Sequence, residues 1–244
     1  MAEQELPDFI ALLLHKFPDV AFLYYLYIWR NVFYAVMVAF ILCIFAFIAA
    51  RRKALIPEGI QNIAEIFVEG IDDFVCGILG SRGRKHTPFI GTLFIYILSM
   101  NMLGLIPFFK SATASLSTTL ALALCVFCYV QYSAIKEMGV AGYLDHLAGK
   151  PRGAIAFSVV LPAMLFLLHL LSEVVKPLSL SLRLRSNIWG DDLLLSVMAG
   201  LGLKGIILLL VNMLSVLLSG IVQSVVFSLL ATIYLAAALP LEEE

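Results

Sequence analysis

The stretch LHLLSEVVKPLSLSLRLRSNIWGDD, residues 168–192, places fixed charges inside what otherwise reads as a membrane helix. His169, Ser172, Lys176, Ser179, Arg183 and Asn187 recur every three or four residues, so a helix gathers them on one stripe and leaves leucine and valine on the rest of its surface. An arginine near the middle of a bilayer costs roughly 3 kcal/mol on insertion scales, so such a residue faces protein or water. Arg183 therefore needs a partner or a task. An arginine side chain keeps its proton in proteins; it attracts a carboxylate or blocks a proton path, but it does not relay.

Composition carries the same message outward from that stretch. Of 244 residues, 62% are hydrophobic and 14% charged, against about half and a quarter in soluble domains, with a formal net charge of −1. A mean hydropathy of +1.01 fits an all-α integral membrane protein and excludes a water-soluble core. The opening residues include Glu3, Glu5, Asp8, Lys16 and Asp19, unlike the short basic start of a signal peptide or the acid-poor start of a presequence, so no cleaved targeting segment is expected. Cys43, Cys76, Cys125 and Cys128 lie in apolar surroundings; the C-x-x-C at 125–128 has no second pair, so inert cysteines are expected rather than a metal or redox site.

Taken in order, residues 1–30 form an external N-terminal segment ending in an aromatic belt of Tyr24, Tyr25, Tyr27 and Trp29. Residues 31–50 are a membrane helix, stopped by Arg51, Arg52 and Lys53, which mark the cytoplasmic side. From Pro57 to about residue 80, Ile60, Ile63, Phe67, Ile71, Phe74 and Ile78 line one helix face. Gln61, Asn62, Glu65, Glu69, Asp72 and Asp73 line the other, which makes an amphipathic cytoplasmic-side helix, interfacial rather than spanning. Residues 87–107 and 116–136 are membrane helices, separated by a short polar turn that contains Lys110. Asn101 in the first is more readily a helix-to-helix hydrogen bond than a transport residue. Residues 153–200 and 205–239 form a long tilted C-terminal hairpin. About 45 residues of helix reach roughly twice the bilayer core, so the first arm tilts or bends, with Pro177 a possible bend. On the second arm Asn212, Ser215, Ser219 and Gln223 share a stripe, with Ser224, Ser228, Thr232 and Tyr234 beside it. Two polar stripes on paired overlong helices suggest a route for an ion.

These residues resemble subunit a of the bacterial F-type ATP synthase. Lys176 to Asn187, KPLSLSLRLRSN, is similar to the family's P-x-S-L-x-x-R-L-x-x-N signature, and NMLGLIP, Asn101 to Pro107, to its N-L-x-G-L-x-P segment. IPEGIQN at 56–62, GYLDHLAGKP at 142–151 and QSVVFSLLATIYL at 223–235 also look like family elements, in the family's order. The resemblance implies a proton-translocating stator subunit with two offset half-channels, in which Arg183 is the essential coupling arginine facing the carboxylate of each c-ring subunit. It implies that Asn187 and Gln223 lie near the half-channel leading in from outside, that Ser172 and Ser179 are small polar positions on the cytoplasmic side, and that Tyr234 is the tyrosine near the end of the final helix.

The sequence also departs from the family pattern. His169 stands where members often have a glutamate, with Glu173 close by as a substitute carboxylate. Asp191 and Asp192 stand where there is a single glutamate, Asp192 aligning to it, and Val216 replaces a histidine sometimes found on the last helix. Lys176 is expected to snorkel to the interface. Arg185, off the stripe, is left between an acidic lipid, a neighbouring subunit and Asp191. The expected partners are the c-ring, peripheral-stalk b subunits and membrane lipid. No nucleic acid, cofactor or metal is expected. No G-x-x-x-x-G-K-[ST] loop occurs in the chain, so no nucleotide site and no catalysis are expected on it. The expected location is the inner cell membrane, multi-pass, with the N-terminus external and the C-terminus cytoplasmic. The coupling ion stays open between H⁺ and Na⁺. Two other readings compete: an independent ion-coupled transporter, which would transport alone in liposomes, and a structural scaffold, in which removing the stripe's charges would damage assembly but not conduction.

Overall fold

The structure, a computed structural model, describes Lys16 and residues 21–51, 60–106, 109, 111–147, 155–200 and 206–239. The acidic opening residues Glu3, Glu5, Asp8 and Asp19, the stop residues Arg52 and Lys53, the helix start at Pro57, the loop basics Lys110, Lys150 and Arg152, and the glycine turn at 201–205 lie outside the described residues. Among the described residues there is no strand. The helices are α1 (Ala21–Ile28), α2 (Arg30–Arg51), α3 (Ile60–Leu79), α4 (Thr87–Leu103), α5 (Leu116–Leu147), α6 (Ile155–Gly200) and α7 (Ile206–Ala238), with 3₁₀ turns at Gly80–Lys85 and Ala112–Ala114.

Four helices are long and apolar enough to cross a membrane, over Arg30–Ile48, Leu116–Val140, Met164–Met198 and Leu210–Ala238. The apolar α4 has 17 residues, about 26 Å, the lower limit for a span. It starts with Pro88 in its first turn, where a missing N–H costs nothing. The 46 residues of α6 make about 69 Å, and α6 stays helical through Pro177. A membrane helix tolerates an internal proline where neighbouring groups satisfy the freed carbonyl. The chain breaks instead inside α5, at Gly139 with φ 72° and ψ 164°, a conformation that glycine adopts without steric cost. The carboxylate-bearing α3 is not among the helices apolar enough to span; Phe67 packs its ring 5.6 Å from Phe94 of α4, and Val75 is fully buried.

Lipid is as apolar as leucine, so helices in it are held by close packing and hydrogen bonds rather than by hydrophobic expulsion. The core follows that rule. Ala123, Ala134, Ala231 and Ala238 interleave with Ile90, Ile97, Val126, Leu180, Leu184, Phe227 and Leu235 across α4 to α7. Asn101 of α4, 3% exposed, donates to the Gly220 carbonyl at 3.2 Å and to Ser224 at 3.4 Å on α7, and accepts from Thr113 at 2.9 Å. This junction is the helix-to-helix role expected for Asn101. A Cβ on Gly220 would stand 3.1 Å from the Asn101 Cβ, so the close approach needs glycine. Against this core α2 packs lightly: Tyr34 and Val38 pack on Met100 and Leu103, while Phe40, Phe45 and Phe47 are exposed.

Candidate functional site

Only one edge of α6 is buried around the charged stretch, at Leu180, Ser181, Leu184 and Ile188. A helix that hides this edge must turn the residues between outward, and Ser179, Leu182, Arg183, Arg185, Ser186, Asn187 and Trp189 are all exposed. Arg183 thus stands exposed on the polar stripe, beside an uncovered apolar face of Val175, Leu178, Leu182 and Trp189. Among the described residues it makes no hydrogen bond or ion pair. Its charge bears on the Tyr234 phenol of α7. Arg185 is also exposed and forms no ion pair with Asp191, which removes that one of its three expected contacts.

Towards the C-terminal end of α6, about 6 Å along the axis from Arg183, the Asn187 Nδ2 donates to Gln223 Oε1 at 2.7 Å. Gln223 is 2% exposed, and its Nε2 has no hydrogen-bond partner among the described residues. One turn further, Asp191 is half-buried, and its Oδ2 is buried with no hydrogen-bond partner among the described residues. Asp192 is half-buried beside it. Ser228 Oγ and Asn212 Nδ2 on α7 are likewise buried and unbonded. Such atoms, each costing about 1–3 kcal/mol if left dry, mark a place for water or an ion.

Towards the N-terminal half, about 15 Å from Arg183, Glu173 is ion-paired with Lys176 and accepts from Gln131 Nε2 of α5 at 2.6 Å. Gln131 in turn accepts from the Tyr143 hydroxyl. Lys176 Nζ lies 5.5 Å from the Tyr234 ring centroid. A small cavity opens between Glu173, Lys176, Pro177, Leu180, Tyr234 and the α5 residues Ala123, Val126, Phe127 and Val130. Lys176 is therefore turned into the bundle, not snorkelling away from it. His169, Ser172 and Ser179 are exposed on α6. Burial first, and then the Glu173 charge, push the Tyr143 phenol above its usual value, so it is a standing donor.

The sequence reading missed Gln131 and Tyr143. Gln131 carried a signal, as the one amide within the apolar run of α5. Tyr143 carried none, because it reaches Gln131 only through the break at Gly139. Among the described residues no group of three His, Cys, Asp or Glu side chains is placed to hold a metal, and Cys43, Cys76, Cys125 and Cys128 are free thiols.

Fold and site together define an all-α, multi-pass membrane protein whose exposed Arg183 stands between two polar clusters on its longest helices. Residues 32–236 match the family described as ATP synthase A chain. The ATP synthase subunit a of Protochlamydia amoebophila is 39% identical over 249 residues, covering 98% of this chain and 91% of the relative. That of Solidesulfovibrio magneticus is 36% identical over 209 residues, covering 86% and 84%, and that of Campylobacter fetus subsp. fetus is 34% identical over 214 residues, covering 87% and 91%. The chain belongs to the ATP synthase A chain family.

Proposed function

We propose that this chain is the proton-translocating stator subunit of an F-type ATP synthase and that Arg183 couples ion flow to rotation of a partner ring. The observation that carries the reading is the exposed Arg183 beside an uncovered apolar face, with polar clusters along the helix on either side. A ring subunit's carboxyl group must be neutral to face lipid. Opposite Arg183 the ionised form is favoured: two unit charges about 4 Å apart gain about 4 kcal/mol at an effective dielectric of 20. That changes proton affinity roughly a thousandfold. The carboxyl group releases its proton as it arrives and must take up another before re-entering lipid, while the fixed charge bars protons from passing directly.

In this reading the chain lies in the inner cell membrane with its N-terminus external and its C-terminus cytoplasmic. Asn187, Gln223, Asp191 and Asp192 then serve the outer half-channel, and His169, Ser172, Glu173, Ser179 and Tyr234 the inner one. The partners are the c-ring, the b subunits of the peripheral stalk and lipid, and nucleotide chemistry resides on other subunits. The test is Arg183→Ala in the assembled complex, reconstituted in liposomes after equal assembly is confirmed. ATP-driven pumping and ATP synthesis should both vanish. Survival of both would end the coupling role.

A further inference from the structure

The sequence brings a carboxylate, Glu173, and an ammonium, Lys176, to one face of α6 a single turn apart, and spacing alone would make them a local pair. The fold adds two groups from another helix. Gln131 of α5 donates to Glu173 Oε2 at 2.6 Å, and the Tyr143 hydroxyl donates to Gln131. Twelve residues of unbroken helix would separate positions 131 and 143 by about 18 Å. The backbone reversal at Gly139 is what returns Tyr143 to Gln131. Lys176 meanwhile touches the Glu173 carboxylate and the face of the Tyr234 ring at once, so its ammonium keeps an aromatic contact if the carboxylate loses its charge. The cavity beside these groups is walled by Pro177 and Leu180 and leaves room next to the carboxylate.

We infer that Gln131 and Tyr143 are positioning residues for ion movement, holding Glu173 beside Lys176 as a proton-transfer station between the Arg183 region and the α5 end of the protein. The inference rests on the stator reading above. A hydronium on the Arg183 side breaks one O–H bond and is left as water, its proton binding a Glu173 carboxylate oxygen as the Lys176 ammonium loosens from that oxygen and keeps its contact with the Tyr234 ring. The carboxylic acid then gives that proton to water, and Lys176 returns. One O–H bond forms and the same bond breaks, with no change in the net composition of the station. The reverse sequence serves the opposite direction of rotation. The charged and titratable groups around Glu173 are Lys176 and, one turn away, His169 on α6, Tyr143 on α5, and Tyr234 on α7. Gln131 fixes which carboxylate oxygen remains for the proton: with Oε2 bonded to the amide, Oε1 is the one that Lys176 covers and uncovers.

The experiment uses the assembled complex in liposomes, with ATP-driven proton pumping as the readout and assembly quantified for each variant. Gln131→Met keeps the chain length and removes the donor; Tyr143→Phe removes one hydroxyl. Each should slow pumping roughly fivefold, the equivalent of one hydrogen bond. Neither should slow it further in a Glu173→Gln background, because both act through Glu173. Where Glu173→Gln alone stops pumping, Glu173→Asp replaces it, keeping the charge but shortening its reach. Lys176→Arg, which can still pair and rest on an aromatic ring, should retain pumping, and Lys176→Met should not. Equal slowing in both backgrounds, or unchanged pumping in Gln131→Met and Tyr143→Phe, would overturn the inference. Arg183→Ala, run alongside, separates the two failures: if that variant still pumps, the stator reading itself falls, whereas loss of pumping there with silent α5 variants removes only the station.

Discussion

Replacing Asn187 with alanine should harm the protein more than replacing Gln223 with leucine, although the two residues share one hydrogen bond. Asn187 is exposed and can be hydrated, whereas Gln223 is 2% exposed and holds its only side-chain contact through Oε1 at 2.7 Å, its Nε2 being already unbonded. Asn187→Ala leaves a buried amide with neither end bonded, which costs about 1–3 kcal/mol. Interhelical hydrogen bonds in lipid run near 0.6 kcal/mol on average and 1.7 at most, so about 1–2 kcal/mol is the reasoned value. Gln223→Leu removes both unmet groups at similar volume and should cost under about 1 kcal/mol. The double variant should recover about 1 kcal/mol relative to Asn187→Ala. The assay is denaturation of the purified chain in mixed micelles, followed by Trp189, which lies two residues beyond Asn187 and is one of only 2 tryptophans. Changing Trp29 to phenylalanine leaves it the sole reporter. A Gln223→Leu variant less stable than Asn187→Ala, or a double variant equal to the sum of the singles, would refute the reasoning.

Asn101→Ala should destabilise the protein by about 2 kcal/mol, the sum of two bonds to α7 and one from Thr113 of the 3₁₀ turn near the average membrane value, measured in the same denaturation; an effect below about 0.5 kcal/mol would mean this region is held by packing alone. His86, buried in the turn before α4, meets the Tyr129 hydroxyl at 2.9 Å through Nδ1. Burial first holds its imidazole below the ordinary value of 6.5, with Lys85 acting the same way and Glu137 opposing. The unfolded chain therefore binds the proton more readily, so this contribution is present above about pH 6.5 and is lost as pH falls below it. Thermal stability should decline from pH 7 to 5.5 in the wild type and decline less in His86→Gln; equal slopes would exclude His86.

The polar stripe of α6 and the membrane class of the chain were both legible in linear order, because the first follows from local periodicity and the second from composition. Charges spaced every three or four residues share a helix face wherever that helix is placed, and a bilayer leaves few other ways to house so apolar a chain. The same period placed Asn212, Gln223, Ser224, Ser228 and Thr232 on neighbouring faces of α7, and they are buried. Partner choice was not legible. Asn187 and Gln223 are 36 residues apart, Gln131 and Glu173 42, and Asn101 and Ser224 123, so their meeting depends on how far one helix slides along another. Lys176 shows the limit of local reasoning: position suggested a side chain stretched to the membrane surface, but the nearby carboxylate and aromatic ring draw it inward. Tyr143 shows it again, since a single glycine with a positive φ moves that hydroxyl to a partner that no helical repeat would give it. The sequence by itself determined the helices, their apolar character and the polar stripe that carries Arg183, because these follow from spacing and solvent. Only the tertiary structure decided which polar groups share protons and which stay unbonded, because that is set by the register of helices distant in the chain.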